Sequence, residues 1–363
     1  MQHAMFMQPS HPPERDVREG IEQDLTIIEW CDQLGFSEVW IGEHLSASWE
    51  PYPAHDLILA QAIPRTERIT LCSGGYVLPF YHPAALALRI AQLDHMAQGR
   101  YICGIAAGAI PTDFALLDID LAEGANRRMM RESLEIMIKI WTDPDPWRYE
   151  GEFWTVNNPE PFMTFGPHLR PFQAPYPRIG LAGMSPRSEP IRFAGEQGCI
   201  PLSISFNLPH LADHWTMVEE GAQSAGISCD RADWHVIREV FVAETDREAK
   251  DWVRSSPFGD MWRAMHLPTI RELGWEPHFK HDDAVPDDAV DLDYFIDHLF
   301  MVGSVETVTE KILAADEALG GFGTLVMTKY DFGSTPGPYR DSLALLANEV
   351  MPAVNRRLGV ETR

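Results

Sequence analysis

A carboxylate and an imidazole stand side by side where a short apolar run ends. In the segment GFSEVWIGEHL, the run Val39–Ile41 is followed by Gly42 and the pair Glu43 and His44. The run is short and bounded by glycines, which predicts a buried strand rather than a helix. A histidine at such a strand end can act as a general acid or base, because imidazole titrates near neutral pH. The alternative is that His44 only begins a loop and pairs with Glu43.

Hydroxyl groups and small residues follow another predicted strand. The segment AGMSPRS, residues 182–188, contains Gly183, Ser185, Arg187 and Ser188 and opens a predicted helix. Free N–H groups at a helix N-terminus, together with the helix dipole, favour an anion such as a phosphate. The alternative is that Ser185 or Ser188 merely caps the helix.

Two further strand ends consist of small residues. Gly74 and Gly75 follow the third predicted strand, where they would let a flat ligand approach the main chain; the alternative is a loose turn. The fourth predicted strand ends in the run 106–109, AAGA, which either leaves room for a ligand or packs tightly. Both segments are therefore candidates for a ligand site.

These segments need a scaffold that brings strand ends together. Apolar runs alternate with helix-like segments along the chain, and they predict eight strands: Ala4–Met7, Val39–Ile41, Ile69–Ser73, Tyr101–Ala106, Arg178–Ala182, Ile200–Ile204, His235–Ala243 and Thr324–Thr328. This order predicts an α/β protein, a (β/α)8 TIM barrel forming a single domain over 1–363, with the active site at the C-terminal ends of the strands. Loop insertions at about 144–177 and 257–291 are expected to be lids or binding segments, the second covering the pocket.

Composition excludes several classes of partner. The 363 residues include 29 basic and 54 acidic side chains, a net charge of −25, which disfavours nucleic acid and anionic membranes. No apolar run approaches the ~20 residues of a membrane helix, and the N-terminus does not resemble a secretory signal. The five cysteines form no CxxC pair and predict buried thiols in a reducing compartment, the cytoplasm. No spacing of metal ligands is present, so no metal site is predicted.

Three longer motifs carry a family resemblance. The segments WIGEHL, LPFYHPAALALRIAQLDHMAQGRYICGIAAG and HLFMVGSVETVTEKI are similar to the pattern of the bacterial luciferase-like flavin monooxygenases. The similarity runs through nearly the whole chain and is interrupted only at the insertions. The last segment looks most like the branch that contains limonene monooxygenase and the diketocamphane monooxygenases.

This resemblance implies a TIM barrel that binds reduced FMN at its C-terminal face. His44 matches the active-site histidine of the family. The bond between Gly74 and Gly75 matches a non-proline cis peptide beside the flavin ring, and Ser185 and Ser188 fall where the family holds the phosphate. Further predicted contacts to the cofactor are Met7, Ala107 and Gly183. The reactive cysteine of luciferase itself has no counterpart here, because alanines stand at that place.

The implied function is a two-component monooxygenase. A separate flavin reductase would supply FMNH2, which reacts with O2 to a C4a-peroxyflavin and oxygenates a small apolar organic substrate of the terpene or cyclic ketone type. A homodimer is expected. Two alternatives remain open: an F420-dependent hydride-transfer oxidoreductase of the same fold, and a catalytically idle flavin-binding or partner subunit.

Overall fold

The computed structural model describes residues 1–204, 207–282 and 284–360. Within them, parallel strands form a closed barrel in which each strand pairs with the next and the last pairs with the first. The barrel strands are β1 Gln2–Met7, β2 Glu38–Ile41, β3 Thr70–Ser73, β4 Tyr101–Ala106, β5 Ile179–Gly183, β6 Ile200–Ile204, β7 His235–Arg238 and β8 Thr324–Thr328. The predicted (β/α)8 barrel is confirmed.

Helices surround the barrel and connect successive strands. Their bounds are α1 Val17–Leu34, α2 His55–Ala62, α3 Pro83–Ala97, α4 Pro111–Leu116, α5 Ala125–Thr142, α6 Glu189–Gln197, α7 Leu208–Ala225, α8 Asp246–Ser255, α9 Pro257–Met261, α10 Leu267–Glu272, α11 Leu292–Tyr294, α12 Val305–Leu319, α13 Pro336–Leu345 and α14 Met351–Leu358. Helix α1 is typical: Asp16 accepts hydrogen bonds from the first-turn amides, and Gly35 ends the helix in the left-handed conformation. No helix in the described part of the chain is long and apolar enough to cross a membrane.

The barrel interior is filled by Trp40 and by apolar side chains of the other strands. Trp40 of β2 is fully buried inside the barrel with residues of the other strands, among them Phe6 and Val326. A Cβ atom on Gly180 would lie 2.5 Å from the Trp40 ring, so only glycine fits there. Trp40 also donates a hydrogen bond of 2.8 Å to Glu38, which pairs with His235 at the start of β7. The N-terminal half of the barrel is therefore closed, and a ligand can enter only from the opposite end.

The seventh strand differs from the prediction. The apolar run His235–Ala243 was expected to be one strand, but β7 ends at Arg238. The continuation, Val240–Ala243, leaves the barrel and pairs in parallel with Met301–Ser304, a strand that the sequence analysis did not predict. The break falls at Glu239, whose carbonyl accepts a hydrogen bond of 2.8 Å from the amide of Met301.

The first insertion, 144–177, lies between α5 and β5. It contains the predicted hairpin, formed by Trp147–Glu150 and Thr155–Asn158. Glu132 of α5 accepts hydrogen bonds from the amides at the hairpin tip, and Arg170 donates to the carbonyls of Ile140 and Asp143. These contacts hold the insertion against α5, and its role as a lid or a binding segment stays a prediction.

The second insertion, 257–291, lies after β7 on the side where the barrel strands end. Contrary to the irregular structure expected, it begins with α9, a π-helical turn and α10. The Phe258 ring packs 3.5 Å from the ring of Tyr330, which follows β8, and Asn207 after β6 donates to the carbonyl of Lys280. The insertion thus covers the barrel beside the ends of β6, β7 and β8.

Candidate active site

The C-terminal end of the barrel is open above its filled core. Interior-facing positions at mid-barrel are buried, but at or just beyond their C-terminal ends six of the eight strands present a partly exposed residue. Because side chains alternate along a strand, these residues point toward the barrel axis at its mouth. They are Gln8, Gly74, Ala106, Ala182, Ile204 and Thr328. The mouth is therefore the place where a ligand can reach the strand ends.

His44 lies at this mouth, between two buried carboxyl groups. Its Nδ1 atom is hydrogen-bonded to Asp113 Oδ2 at 3.0 Å, and its Nε2 atom lies 3.2 Å from Glu50 Oε2. The imidazole is 19% exposed, whereas the side chains of Glu50 and Asp113 are 3% and 2% exposed. Asp113 therefore fixes the orientation of the ring, in which Nε2 faces Glu50 while part of the imidazole stays exposed at the mouth.

Asp113 itself is held by the loop that carries His44. Its Oδ1 atom accepts hydrogen bonds of 3.1 Å from the Leu45 amide and 2.5 Å from the Ser46 hydroxyl. Helix α4, which follows β4, places Asp113 in its first turn. The loops after β2 and β4 are thereby joined, and the carboxylate beside His44 has little freedom to move.

Burial raises the pKa of Glu50, and the nearby carboxylate of Asp113 acts in the same direction, while His44 opposes the shift. A carboxyl group with a raised pKa retains its proton at a higher pH than an exposed glutamate would. Glu50 can therefore exchange a proton with the His44 imidazole beside it.

Glu43 has a structural role and does not pair with His44. Its carboxylate accepts hydrogen bonds from His55 at 3.0 Å, from the Tyr81 hydroxyl at 2.6 Å and from the Val77 amide at 2.9 Å. Burial and the adjacent Glu43 raise the pKa of Tyr81, so its hydroxyl remains a donor. These contacts connect the loop after β2 to α2 and to the segment after Gly75, and they leave no lone pair facing the mouth.

The peptide bond between Gly74 and Gly75 is cis, as the resemblance implied. A Cβ atom on Gly75 would lie 2.5 Å from the backbone of Gly104, and one on Gly74 would lie 2.9 Å from the Ile41 amide nitrogen. Close contacts with neighbouring strands therefore account for both glycines, whether or not a ligand is bound. Gly74 is partly exposed at the mouth, so its main chain is accessible to one.

The loop after β5 contains a buried hydroxyl group without a partner. The Oγ atom of Ser188 has no hydrogen-bond partner among the described residues, although Ser188 is 1% exposed and stands just before α6. A Cβ atom on Gly183 would lie 2.3 Å from this oxygen, so glycine makes room for the serine. The side chain of Ser185 is exposed. The exposed Arg187 turns outward and lies 3.3 Å from Glu220 of α7. The two serines, rather than Arg187, are thus available to an anion.

Met7 and Ala107, two of the predicted cofactor contacts, are more deeply buried than the residues that line the mouth. Met7 has no exposed surface and belongs to the core between barrel and helices, because Phe6, and not Met7, faces the barrel interior. The prediction that its side chain contacts the cofactor therefore conflicts with its placement. Ala107 is 9% exposed, and its carbonyl accepts a hydrogen bond from Asn126 at 3.3 Å. Ala107 stays near the mouth, and its contact with a ligand remains a prediction.

The sequence analysis missed the partners of its two key segments. Asp113 is 69 positions from His44, and Glu50 lies in a loop with no recognisable motif. The first turn of a helix after β4 was the available signal for Asp113, because all loops that follow barrel strands lie at the same face. His214 of α7, hydrogen-bonded to the Ser185 carbonyl, gave no such signal.

Known proteins are similar to this chain over nearly its whole length. The profile of the family described as luciferase-like monooxygenase matches residues 1–321. The 3,6-diketocamphane 1,6-monooxygenase of Pseudomonas putida is 34% identical and the alignment covers 98% of each chain. Limonene 1,2-monooxygenase of Rhodococcus erythropolis is 31% identical over 99% of this chain and 88% of the relative.

A solved structure is similar over the same length. The oxygenating constituent of 3,6-diketocamphane monooxygenase from P. putida, a type II Baeyer–Villiger monooxygenase in complex with FMN, superposes with a TM-score of 0.91. It is 35% identical in sequence, and the match covers 97% of this chain and 98% of that one. The chain therefore belongs to the luciferase-like monooxygenase family, which confirms both the resemblance and the enzyme class that it implied.

Proposed function

We propose that the protein is the oxygenase component of a two-component, FMN-dependent monooxygenase. It takes FMNH2 from a separate flavin reductase and uses O2 to oxygenate a small apolar organic substrate, a terpene or a cyclic ketone. The observation that carries the proposal is the His44 imidazole held between Asp113 and Glu50 at the barrel mouth. The similarity to an FMN-containing Baeyer–Villiger monooxygenase supports it. Assembly as a homodimer in the cytoplasm belongs to the same proposal.

The residues at the mouth fit FMN in two places. The buried Ser188 hydroxyl without a partner, at the start of the nine-residue helix α6, suits the phosphate. The partly exposed main chain at Gly74, together with the small side chains of Ala106 and Ala182, suits a flat ring system. Bound reduced FMN supplies the electrons with which one oxygen atom of O2 enters the substrate and the other becomes water.

His44 moves the proton that this chemistry requires. Asp113 holds Nδ1 and thereby orients the ring, so that Nε2 donates or accepts a proton. Glu50, buried beside Nε2, returns the proton to the ring after each turnover. Acid–base catalysis of this kind contributes roughly 10²- to 10⁴-fold to a rate.

An aromatic cluster beside the mouth suits an apolar substrate. The Trp262 ring of the second insertion lies 4.8 Å from the Phe295 ring and 5.0 Å from the Phe300 ring, and all three side chains are buried. Phe258 joins this cluster to Tyr330 after β8. Such a cover excludes water from the site and offers little hydrogen bonding, which favours a terpene-like molecule over a polar one.

The test has two parts, binding and turnover. The protein is titrated with FMNH2 and with reduced F420, and we expect tight binding of FMNH2 alone. It is then incubated with FMN, NADH, an added flavin reductase and ¹⁸O2, with 3,6-diketocamphane and limonene as probes. We expect a product that carries a single ¹⁸O atom. Binding of reduced F420 alone would contradict the proposal, and so would complete recovery of the consumed O2 as hydrogen peroxide with a broader panel of terpenes and cyclic ketones.

A further inference from the structure

His214 on helix α7 is a buried histidine that the proposed chemistry does not use. Its exposed fraction is 0%, and both ring nitrogens have partners. Nε2 lies 2.9 Å from the main-chain carbonyl oxygen of Ser185, and Nδ1 lies 3.0 Å from the hydroxyl of Ser203 on β6. The ring thus connects α7 and the barrel wall to the loop that contains the candidate phosphate ligands.

The direction of every hydrogen bond in this connection follows from the chemistry of the partners. A carbonyl oxygen only accepts, so Nε2 carries a proton and donates it to Ser185. Burial lowers the pKa of His214, which keeps the ring neutral, so Nδ1 accepts a hydrogen bond from the Ser203 hydroxyl. The Ser203 oxygen in turn accepts a hydrogen bond of 2.8 Å from the indole N–H of Trp234. Trp234 therefore donates to Ser203, Ser203 donates to His214, and His214 donates to the Ser185 carbonyl.

The loop that receives this hydrogen bond needs external support. We call residues Gly183–Ser188 the phosphate loop. Arg187 has a φ of 46°, in the left-handed region, which residues other than glycine adopt rarely because it strains the backbone. Helix α7 contacts the loop on both sides of the turn, through His214 at Ser185 and through Glu220 at Arg187. The neighbouring strands are also in register, since Gly183 pairs with Ser203.

We propose that His214 is a positioning residue for the cofactor phosphate: its Nε2–H holds the Ser185 carbonyl and thereby sets the conformation of the phosphate loop. This inference rests on the proposed function, because it assigns the loop to the FMN phosphate. His214 does not contact the phosphate itself. It acts through the loop, so that its loss weakens the binding of FMN but not the binding of a flavin without a phosphate.

The experiment compares the affinities for FMN and riboflavin, measured by quenching of flavin fluorescence. In His214→Gln, the side-chain amide can take the place of Nε2–H and donate to Ser185. In His214→Asn, the shorter amide reaches only toward Ser203. The quantity compared is the affinity for FMN divided by the affinity for riboflavin. We expect His214→Gln to keep this ratio within about threefold of the wild-type value. We expect His214→Asn to reduce it by about tenfold, through weaker FMN binding.

A matched control is His235→Gln. His235 is also buried and hydrogen-bonded, but it pairs with Glu38 at the closed end of the barrel. We expect this variant to lose stability and to keep the wild-type ratio. If His214→Asn cannot be isolated in folded form, Ser203→Ala takes its place, and we expect a ratio reduced by about threefold because Nδ1 then loses its donor.

The possible outcomes separate the two proposals. A wild-type protein that binds FMN and riboflavin equally would contradict the proposed phosphate site. A wild type that prefers FMN, with the ratio unchanged in His214→Asn and in Ser203→Ala, would overturn the role of His214 alone. Equal losses in His214→Gln and His214→Asn would also overturn it, because the donated hydrogen bond would then not be the cause.

Discussion

The two ends of the proposed flavin site are built from different kinds of residue. The ring end comprises His44, Glu50, Asp113 and the Gly74–Gly75 pair. Here an imidazole lies between two buried carboxyl groups. The phosphate end comprises Gly183, Ser185, Ser188 and His214. It consists of glycine, hydroxyl groups and a neutral buried ring. Ionisable groups in contact suit proton transfer, whereas neutral donors suit the holding of an anion. Mutations at the ring end should therefore change the chemistry, and mutations at the phosphate end should change the affinity for the cofactor.

The largest effect is expected at the ring end. Replacement of His44 by alanine should lower product formation by roughly 10²- to 10⁴-fold, because the acid–base group is lost. FMN affinity should change by no more than about twofold, since the loss falls on the transition state. The measurement is product per FMNH2 consumed, together with fluorescence titration. His82→Ala, which removes another histidine at the barrel rim, is the control and should keep wild-type turnover.

A smaller loss is expected when the orientation of His44 is disturbed. Asp113→Asn keeps the size of the side chain but removes the charge that fixes Nδ1–H, and kcat should fall by roughly 10- to 1,000-fold. Steady-state kinetics at saturating FMNH2 measures this loss. The exposed Asp118→Asn, on the same connection between β4 and α5, should have no effect. Equal activity of Asp113→Asn and wild type would mean that Asp113 only joins the two loops.

The phosphate end should show the opposite pattern. Ser188→Ala removes the buried hydroxyl that has no partner among the described residues, and the Kd for FMN should rise by about tenfold, while the Kd for riboflavin should not change. At saturating FMNH2 the variant should regain the wild-type kcat. Ser224→Ala, on the nearby helix α7, serves as a control. A kcat that stays low at saturation would show that the two ends are not separable.

The smallest expected difference is in the pH dependence of stability. The pKa of Glu50 is raised above the ordinary 4.5, so the folded state binds more protons than the unfolded state above that pH, and stability falls as the pH rises. The pKa of His214 is lowered below 6.5, so stability falls as the pH drops below 6.5. Urea denaturation across pH should therefore show a shallower decline of stability above pH 4.5 in Glu50→Gln and a shallower decline below pH 6.5 in His214→Gln. The same slopes in both variants and the wild type would contradict the assigned burial effects.

Local sequence patterns predicted the barrel, and they predicted one residue at each end of the flavin site, His44 at the ring end and Ser188 at the phosphate end. The strand that carries His44 and the helix that follows Ser188 are signalled by contiguous residues, and the fold follows from their alternation along the chain. The partners of these residues depend on the closing of the barrel, which brings Asp113 to His44 and His214 to Ser185 across many positions. A single sequence does not show which of these distant residues come into contact.

Other differences between sequence and structure have equally physical causes. The strand register decides which of Phe6 and Met7 faces the barrel interior, and the contact of Met7 with the cofactor stays a prediction. The run His235–Ala243 is interrupted only by the charged pair Arg238 and Glu239, where the chain leaves the barrel, and one such pair within a strand-like run does not by itself predict a break. In the second insertion, a π-helical turn between α9 and α10 shifts the helical period and hides the helices.

The most direct test of the separation between the two ends is single-turnover product yield at increasing FMNH2 concentration. The wild type, His44→Ala and Ser188→Ala are mixed with O2 and with a substrate that the wild type oxygenates, and product per bound FMNH2 is measured. We predict that Ser188→Ala reaches the wild-type yield at high FMNH2, whereas His44→Ala stays at a low yield at every concentration and releases hydrogen peroxide. A His44→Ala variant with the wild-type yield, or a Ser188→Ala variant that never reaches it, would contradict the account.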